Sequence, residues 1–250
     1  MDLNFTTVII ACLAVFVLGL GKGGMTGLAA LATPIMALAF APIQAAAILL
    51  PIMLMQDGVS IWSFRASWNK WILGWMLPGA LVGILAGYLF AAILPKTAVL
   101  GALGAITLCF GLHRLWVERG GRITAPSNSP GWVGTLFGII TGFTSQIAHA
   151  GGPPFQMWVT ARKLPHLTYL GTSAIFFATI NIIKLPAYIA LGGITSENLK
   201  ISALLAPLAV LSTFAGVWIA RRLNTGRFYT IVYVLMVLLG IRLIWDSISI

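Results

Sequence analysis

Charge is what this sequence has least of. Only 8% of its 250 residues are Asp, Glu, Lys or Arg, where an ordinary globular chain carries about a quarter. A soluble domain is therefore excluded. Histidine is scarce as well, with three scattered copies and no His-Glu-x-x-His pattern, so a hydrolytic metal site is not expected. No Gly-x-x-x-x-Gly-Lys-Ser/Thr loop occurs, which argues against ATP-driven pumping. The two cysteines, Cys12 and Cys109, stand alone inside apolar runs and read as packing residues rather than as a disulfide or metal pair. No enzymatic activity and no cofactor is expected.

What is present is apolar, at 59% of residues, in long charge-free runs: Leu3 to Gly21, Gly23 to Gln56, Trp71 to Pro95, Ile123 to Ala161 and Ile201 to Ala220. About 20 such residues cross a bilayer as a helix. Ten spans at about 20 residues each would use about 200 residues and leave only short connections. The fold class is an all-α integral membrane protein. The net charge of +10 would suggest nucleic acid only if the basic residues shared one solvated face. They are scattered between apolar runs, so the expected partners are membrane lipids and a small anionic substrate, not nucleic acid. Self-association into a homo-oligomer is left open.

The chain repeats itself. Gly111 to Trp116 returns as Gly240 to Trp245, an offset of 240 − 111 = 129, at which Pro78 also meets Pro207 and Gly87 meets Gly216. Residues 1–117 and 131–250 form two repeats, joined by a polar cytoplasmic linker over 118–130. The first holds apolar elements at Leu3–Leu20, Met25–Phe40, Ile43–Phe64, Trp71–Leu94 and Thr97–Trp116. The second holds them at Gly131–Ile147, Gly152–Thr160, Leu167–Leu191, Leu199–Ala220 and Phe228–Ser247. An odd number of elements per copy inverts the second copy relative to the first. Loop charges agree with inversion. With both termini outside, Arg65, Lys70, Arg114, Arg119, Arg122, Arg162, Lys163, Arg221, Arg222 and Arg227 fall on the cytoplasmic side, against Lys96 and Lys200 outside.

The second element of each copy is broken or re-entrant. Gly19 to Gly24, followed by Thr26, Thr33 and Pro34, corresponds to Thr144 to Pro154. Matching interruptions of this kind point to a transport site. In each copy a glycine pair, Gly23-Gly24 or Gly151-Gly152, precedes a new helical run whose N-terminus is a candidate anion site. Lys22 and His149 sit inside the breaks. Lys22 reads either as a snorkelling helix-end lysine or, more cheaply for a cation at membrane depth, as a substrate ligand. His149 reads as an imidazole satisfied by a carbonyl, or as a substrate contact or proton relay. Gln146 and Ser145 are donors beside it. The third elements bring Asp57 opposite Lys184 (184 − 57 = 127), with Thr172, Ser173 and Asn181 nearby. That pair is either a buried ion pair or an anion ligand with its proton-switchable counter-ion. Gly83 with Gly87 has the spacing of close helix packing, Arg242 with Asp246 that of an interfacial i,i+4 pair, and the tryptophans mark span ends.

These residues resemble the sulfite exporter TauE/SafE family of membrane permeases. The resemblance covers nearly the whole chain: Gly21-Lys22-Gly23-Gly24 with Pro34 and the Pro42 to Pro51 region in the first copy, and Gly151-Gly152-Pro153, Leu164-Pro165 and Leu170 to Ala174 in the second, each copy closing at Gly111 or Gly240. It implies an inner-membrane carrier exporting small sulfur-containing anions such as sulfite or organosulfonates, for example sulfoacetate. An uncoupled anion channel, or an uptake permease for a small carboxylate or sulfonate, is the alternative. Many relatives carry three glycines where this chain has Lys22-Gly23-Gly24, and likewise at His149 to Gly152. The added cation and imidazole suggest a substrate with more charge or a second polar end, such as a carboxylated sulfonate.

Overall fold

The computed structural model describes residues 4–25, 27–121, 128–220 and 226–249, with side chains omitted for 220 and 226–229. Thr26, Arg122, Arg221, Arg222 and the side chain of Arg227 thus lie outside the described residues, as does part of the linker. Ten α-helices follow in order: α1 Phe5–Lys22, α2 Ala32–Met36, α3 Pro42–Phe64, α4 Lys70–Ile93, α5 Lys96–Glu118, α6 Gly131–Ala148, α7 Gly152–Val159, α8 His166–Ala190, α9 Ser196–Ala220 and α10 Gly226–Ser249. Short 3-10 turns at Leu28–Leu31 and Thr160–Arg162 accompany α2 and α7. The protein is an all-α integral membrane protein.

Seven of the helices are long and apolar enough to span a bilayer, fewer than the ten spans that length arithmetic allowed. The difference has two causes. α2 and α7, at five and eight residues, are far shorter than the ~20 residues a crossing requires. α6 is 18 residues long but is interrupted by Gly, Thr, Ser and Gln, and one of its faces packs closely on α4. Trp62, Trp68, Trp71, Trp116 and Trp245 are exposed and near helix ends, as expected of a membrane-interface belt. Cys12 and Cys109 are free. Arg242 Nε donates to Asp246 Oδ2 at 3.0 Å on an exposed helix surface.

Local sequence explains the helix boundaries. Asn4 starts α1 by accepting from the Thr7 N–H at 2.8 Å, and Asn69 starts α4 by accepting from Ile72 at 3.1 Å. Pro42 opens α3, where its missing N–H costs nothing. α1 ends where Gly24 and Gly27 take φ of 123° and 108°, values only glycine adopts without strain. α6 ends differently, on His149 itself in the left-handed region (φ 51°), with the Ala150 N–H bonded to the Thr144 carbonyl and that of His149 to Ser145. The 5→1 bond from His149 makes this an αL-type cap built on an imidazole-bearing residue.

The most extensive helix pairings correspond when the two halves are exchanged. α4 packs on α6 as α1 does on α9; α3 meets α9 as α8 meets α4; α5 pairs with α10 and α3 with α8. Glycines set three of these seams. A Cβ on Gly83 would lie 2.0 Å from the Ile139 carbonyl oxygen, and one on Gly142 2.1 Å from that of Ala80. Gly216 likewise abuts Leu20 and Gly23, and Gly240 abuts Leu108. With no hydrophobic force between helices inside lipid, such close backbone contact is what holds them together.

The α4–α6 seam leaves no room for a side chain. Gly83→Val should lower the unfolding midpoint of detergent-purified protein by several degrees, consistent with about 1–3 kcal/mol of overpacking. Gly74→Val, at a glycine with open space around it, should cost much less. Equal midpoints for the two variants would show that the seam contributes nothing.

Candidate functional site

The site forms where α1, α3, α6, α7 and α8 converge. Two helix faces supply most of it. Along α8, Ser173, Phe177, Asn181, Lys184 and Tyr188 recur every three or four residues and share one face. Along α3, Met53, Asp57, Ser60 and Phe64 do the same, with Ala46 two turns earlier on that face. α1 and α6 each deliver their C-terminal end to this junction, and α7 starts there.

A network of buried polar contacts spans the junction. Lys22 Nζ forms an ion pair with Asp57 Oδ1, the side chains being 10% and 3% exposed. Asn181 Nδ2 donates to the other carboxylate oxygen at 2.5 Å. The Lys22 ammonium also lies 5.7 Å from the Phe177 ring centroid, and the Ser60 hydroxyl donates to the Lys22 carbonyl at 3.1 Å. Lys184, fully buried, donates to the Ser145 carbonyl and hydroxyl at 3.3 and 3.1 Å and reaches His149 Nδ1 at 2.8 Å. His149 Nε2 lies 2.9 Å from the Ala46 carbonyl. A carbonyl only accepts and an ammonium only donates, so the imidazole carries its proton on Nε2 and accepts at Nδ1.

The expected pairing of Asp57 with Lys184 is therefore not the one observed. Asp57 pairs with Lys22, and Lys184 binds the end of α6. Lys184 lies one helical turn beyond Asn181, which takes the position opposite the carboxylate. Both lysines also sit at the negative end of a helix dipole, α1 for Lys22 and α6 for Lys184, an arrangement that favours cations. Among the described residues of this cluster, two lysines, Lys184 buried and Lys22 nearly so, stand against a single carboxylate, Asp57, which pairs with Lys22 alone.

The cluster borders a cavity of about 90 Å³, several times the ~10–15 Å³ that admits one water. Lys22, Gly24, Asp57, His149, Gly152 and Ser173 line it, together with apolar walls from Phe155 and Phe177. The Ser173 hydroxyl is buried without a hydrogen-bond partner. Asn181 and Lys184 stand behind this lining and touch it through Asp57 and His149.

Other candidates lie elsewhere. Gly23 packs on the α9 backbone at Thr213 and Val217, and Gly151 turns back against Thr141 of α6. The Thr172 hydroxyl donates to the Thr168 carbonyl and accepts from the Asn69 N–H at 3.0 Å, fixing the start of α4. Gln146 faces away, toward a second cavity.

The helix N-termini also differ from expectation. The first break leads into a 3-10 turn and a five-residue helix, too short to present an anion site. α7 has a first turn containing Pro153 and Pro154, which carry no N–H, and Phe155 donates to the Gly151 carbonyl at 3.2 Å. Gly152 is left as the donor of that turn facing the cavity. Ser60, Phe177 and Tyr188 were not anticipated from sequence. Their helical spacing from Asp57, Asn181 and Lys184 is the signal that could have found them.

Removing one partner of a buried ion pair costs about 3–5 kcal/mol, whereas replacing both can be close to neutral. Lys22→Met and Asp57→Leu should each lower the unfolding midpoint sharply, and the double variant should recover most of the loss. Additive single effects in thermal unfolding would contradict the pairing.

A family model described as Sulfite exporter TauE/SafE matches residues 10–243. No curated protein and no solved structure significantly matches the chain. The match runs through both broken elements, every cavity-lining residue named above and all of the polar cluster. The chain belongs to the TauE/SafE family of sulfite-exporter-type membrane permeases.

Proposed function

We propose that this permease is a secondary carrier that exports small sulfur-containing anions, sulfite or an organosulfonate such as sulfoacetate, across the inner membrane. The observation that carries the reading is the cavity itself. Its wall carries one ammonium, Lys22, paired with the Asp57 carboxylate, the unpartnered hydroxyl of Ser173 with Ser60, Ser145 and Gln156 nearby, one histidine and the backbone of Gly152, set in a mainly apolar surface. Such a set offers hydrogen-bond donors and positive charge to an oxoanion while excluding bulk water. The excess of buried cation over carboxylate at the cluster points the same way, although the α6 C-terminus offsets part of the Lys184 charge. A sulfonate bearing a second polar end fits the extra cation that Lys22 brings to the first break.

Asp57 supplies a means of coupling. With Asp57 ionised, the Lys22 ammonium is held by the carboxylate. Proton uptake by Asp57 releases Lys22 to an incoming anion, and proton loss returns it, so one proton moves with each ion. The two halves are taken as inverted repeats that rock against each other, in support of which the most extensive helix contacts, α4 on α6 with α1 on α9 and α3 on α9 with α8 on α4, correspond when the halves are exchanged. On this reading Arg65, Lys70, Arg162 and Lys163 lie on the cytoplasmic side, and both termini lie outside.

The test is flux in proteoliposomes. Sulfite or sulfoacetate efflux should saturate with concentration and accelerate with an outward proton gradient, the direction in which a proton carried with the anion drives export. Asp57→Asn should keep at least a tenth of the flux but lose its dependence on the gradient. Non-saturable flux would indicate a channel, and Asp57→Asn retaining the full gradient response would remove Asp57 from the coupling.

A further inference from the structure

Beyond His149 lies a second, smaller cavity of about 10 Å³, the size of one water. Its walls include Ala46, Ala91, Val99, Gln146 and Tyr188. Two features make it more than a packing defect. Both side-chain amide atoms of Gln146 are buried without a partner, although Gln146 is only 2% exposed. Buried amides are seldom left so. The second feature is the position of the cavity. The main cavity touches Phe64 at the end of α3 and Tyr169 and Leu170 near the start of α8, whereas the second touches Pro42 at the start of α3 and Leu191 just past the end of α8. α3 and α8 run in opposite senses, so the two cavities face opposite ends of the bundle.

What separates them is thin. His149 lines the main cavity, and the Ala46 carbonyl that it binds belongs to a residue lining the second. The Tyr188 ring, on the second cavity, stacks on the imidazole with centroids 5.7 Å apart and an interplanar angle of 25°, while its hydroxyl donates to the Gln146 carbonyl at 2.6 Å. The imidazole and the phenol ring between the two cavities are thus held by the bonds to Ala46 and Gln146 and by Lys184 on His149 Nδ1.

The geometry points to a continuous ion path in which the His149–Tyr188 layer is the closed gate and the Gln146 amide is a second polar subsite, for an oxoanion's oxygen or its hydrating water, on the far side. This structure is then the state open toward the Arg65 and Lys70 end and shut toward the Lys96 end. Gln146 was a candidate ligand by sequence. Its assignment here is to the far side of the gate, not to the main cavity. The inference rests on the carrier reading, but sidedness can be measured without any substrate.

The experiment uses full-length protein in sealed vesicles with Cys12→Ala and Cys109→Ala as background. A single reporter, Ala174→Cys, is placed in the main cavity and probed with a membrane-impermeant anionic methanethiosulfonate from each side. Ala174→Cys should react from the Arg65 and Lys70 side at least tenfold faster than from the other. Adding His149→Gly, which suits the left-handed backbone at that position, should raise the far-side rate at least tenfold. Tyr188→Val thins the same layer without touching His149 and should do likewise. Equal reactivity from both sides in the reporter alone, or a far side still closed in both gate variants when they purify as monodisperse protein, overturns the proposal. Gln146→Leu should reduce anion flux at least fivefold while leaving the midpoint for anion binding unchanged. A parallel fall in both would place Gln146 in the main site. If no anion is transported at all but the reporter behaves as stated, the gate stands and the carrier reading falls.

Discussion

A charge inside a membrane has to be answered by another group close at hand, and the interior of this protein is arranged around that constraint. Lys22 reaches the junction at the end of α1 because Gly24 and Gly27 let the chain break there. Asp57 arrives from the middle of α3 and answers it, and Asn181 holds the second carboxylate oxygen from α8. Without the pair, the broken element would leave a bare ammonium beside apolar walls, at a cost of several kcal/mol. On the proposed reading, the same pair would give the site its capacity for change: with Asp57 ionised it is a stabilising contact, and with Asp57 protonated it would leave Lys22 open to an anion.

Rigid and yielding parts are divided between different residues. The seams where α4 meets α6, α1 meets α9 and α5 meets α10 are set by glycines whose missing side chains bring backbones into contact. Those seams resist deformation because every added atom collides with main chain. The broken elements share this at their glycines, Gly23 packing on the α9 backbone and Gly151 on Thr141, but their helices are short. α2 is a single turn and α7 barely two, and each is joined to the preceding long helix by a glycine-bearing turn. If the halves rock, motion has to be absorbed at those turns and at the single layer of His149 and Tyr188, since the glycine seams offer no slack.

The long helices were legible in the sequence because membrane helices announce themselves by the absence of charge. The expected element at Trp71–Leu94 is observed as α4 over Lys70–Ile93, and Leu167–Leu191 as α8 over His166–Ala190. The short elements were located but not resolved. Met25–Phe40 reads as one apolar run, yet Gly27 and Pro34 reduce it to a 3-10 turn and five helical residues. Lys22, Asp57, His149 and Ser173 were all marked as site residues, and they border one cavity. Their partners were not readable. The repeat offset set Asp57 against Lys184, but that offset is uncertain by about a helical turn, and a lysine side chain is long enough to reach across one. Depth in the bundle decides which ammonium meets the carboxylate, and depth leaves no mark in a linear pattern. The roles of Gly23 and Gly151 were hidden for a related reason: a glycine facing a ligand and a glycine facing a neighbouring backbone look alike until the neighbour is known.

The central claim is that Lys22 is a ligand for a small sulfur oxoanion as well as the partner of Asp57. Direct binding tests it most simply: titration calorimetry of the detergent-purified protein with sulfite and sulfoacetate, set beside taurine and acetate and repeated on Lys22→Gln. Saturable binding of at least one of the two sulfur anions, weakened tenfold or more in Lys22→Gln and absent with acetate, is the predicted result. Binding of equal strength in parent and Lys22→Gln, or no binding of either sulfur anion, would contradict it.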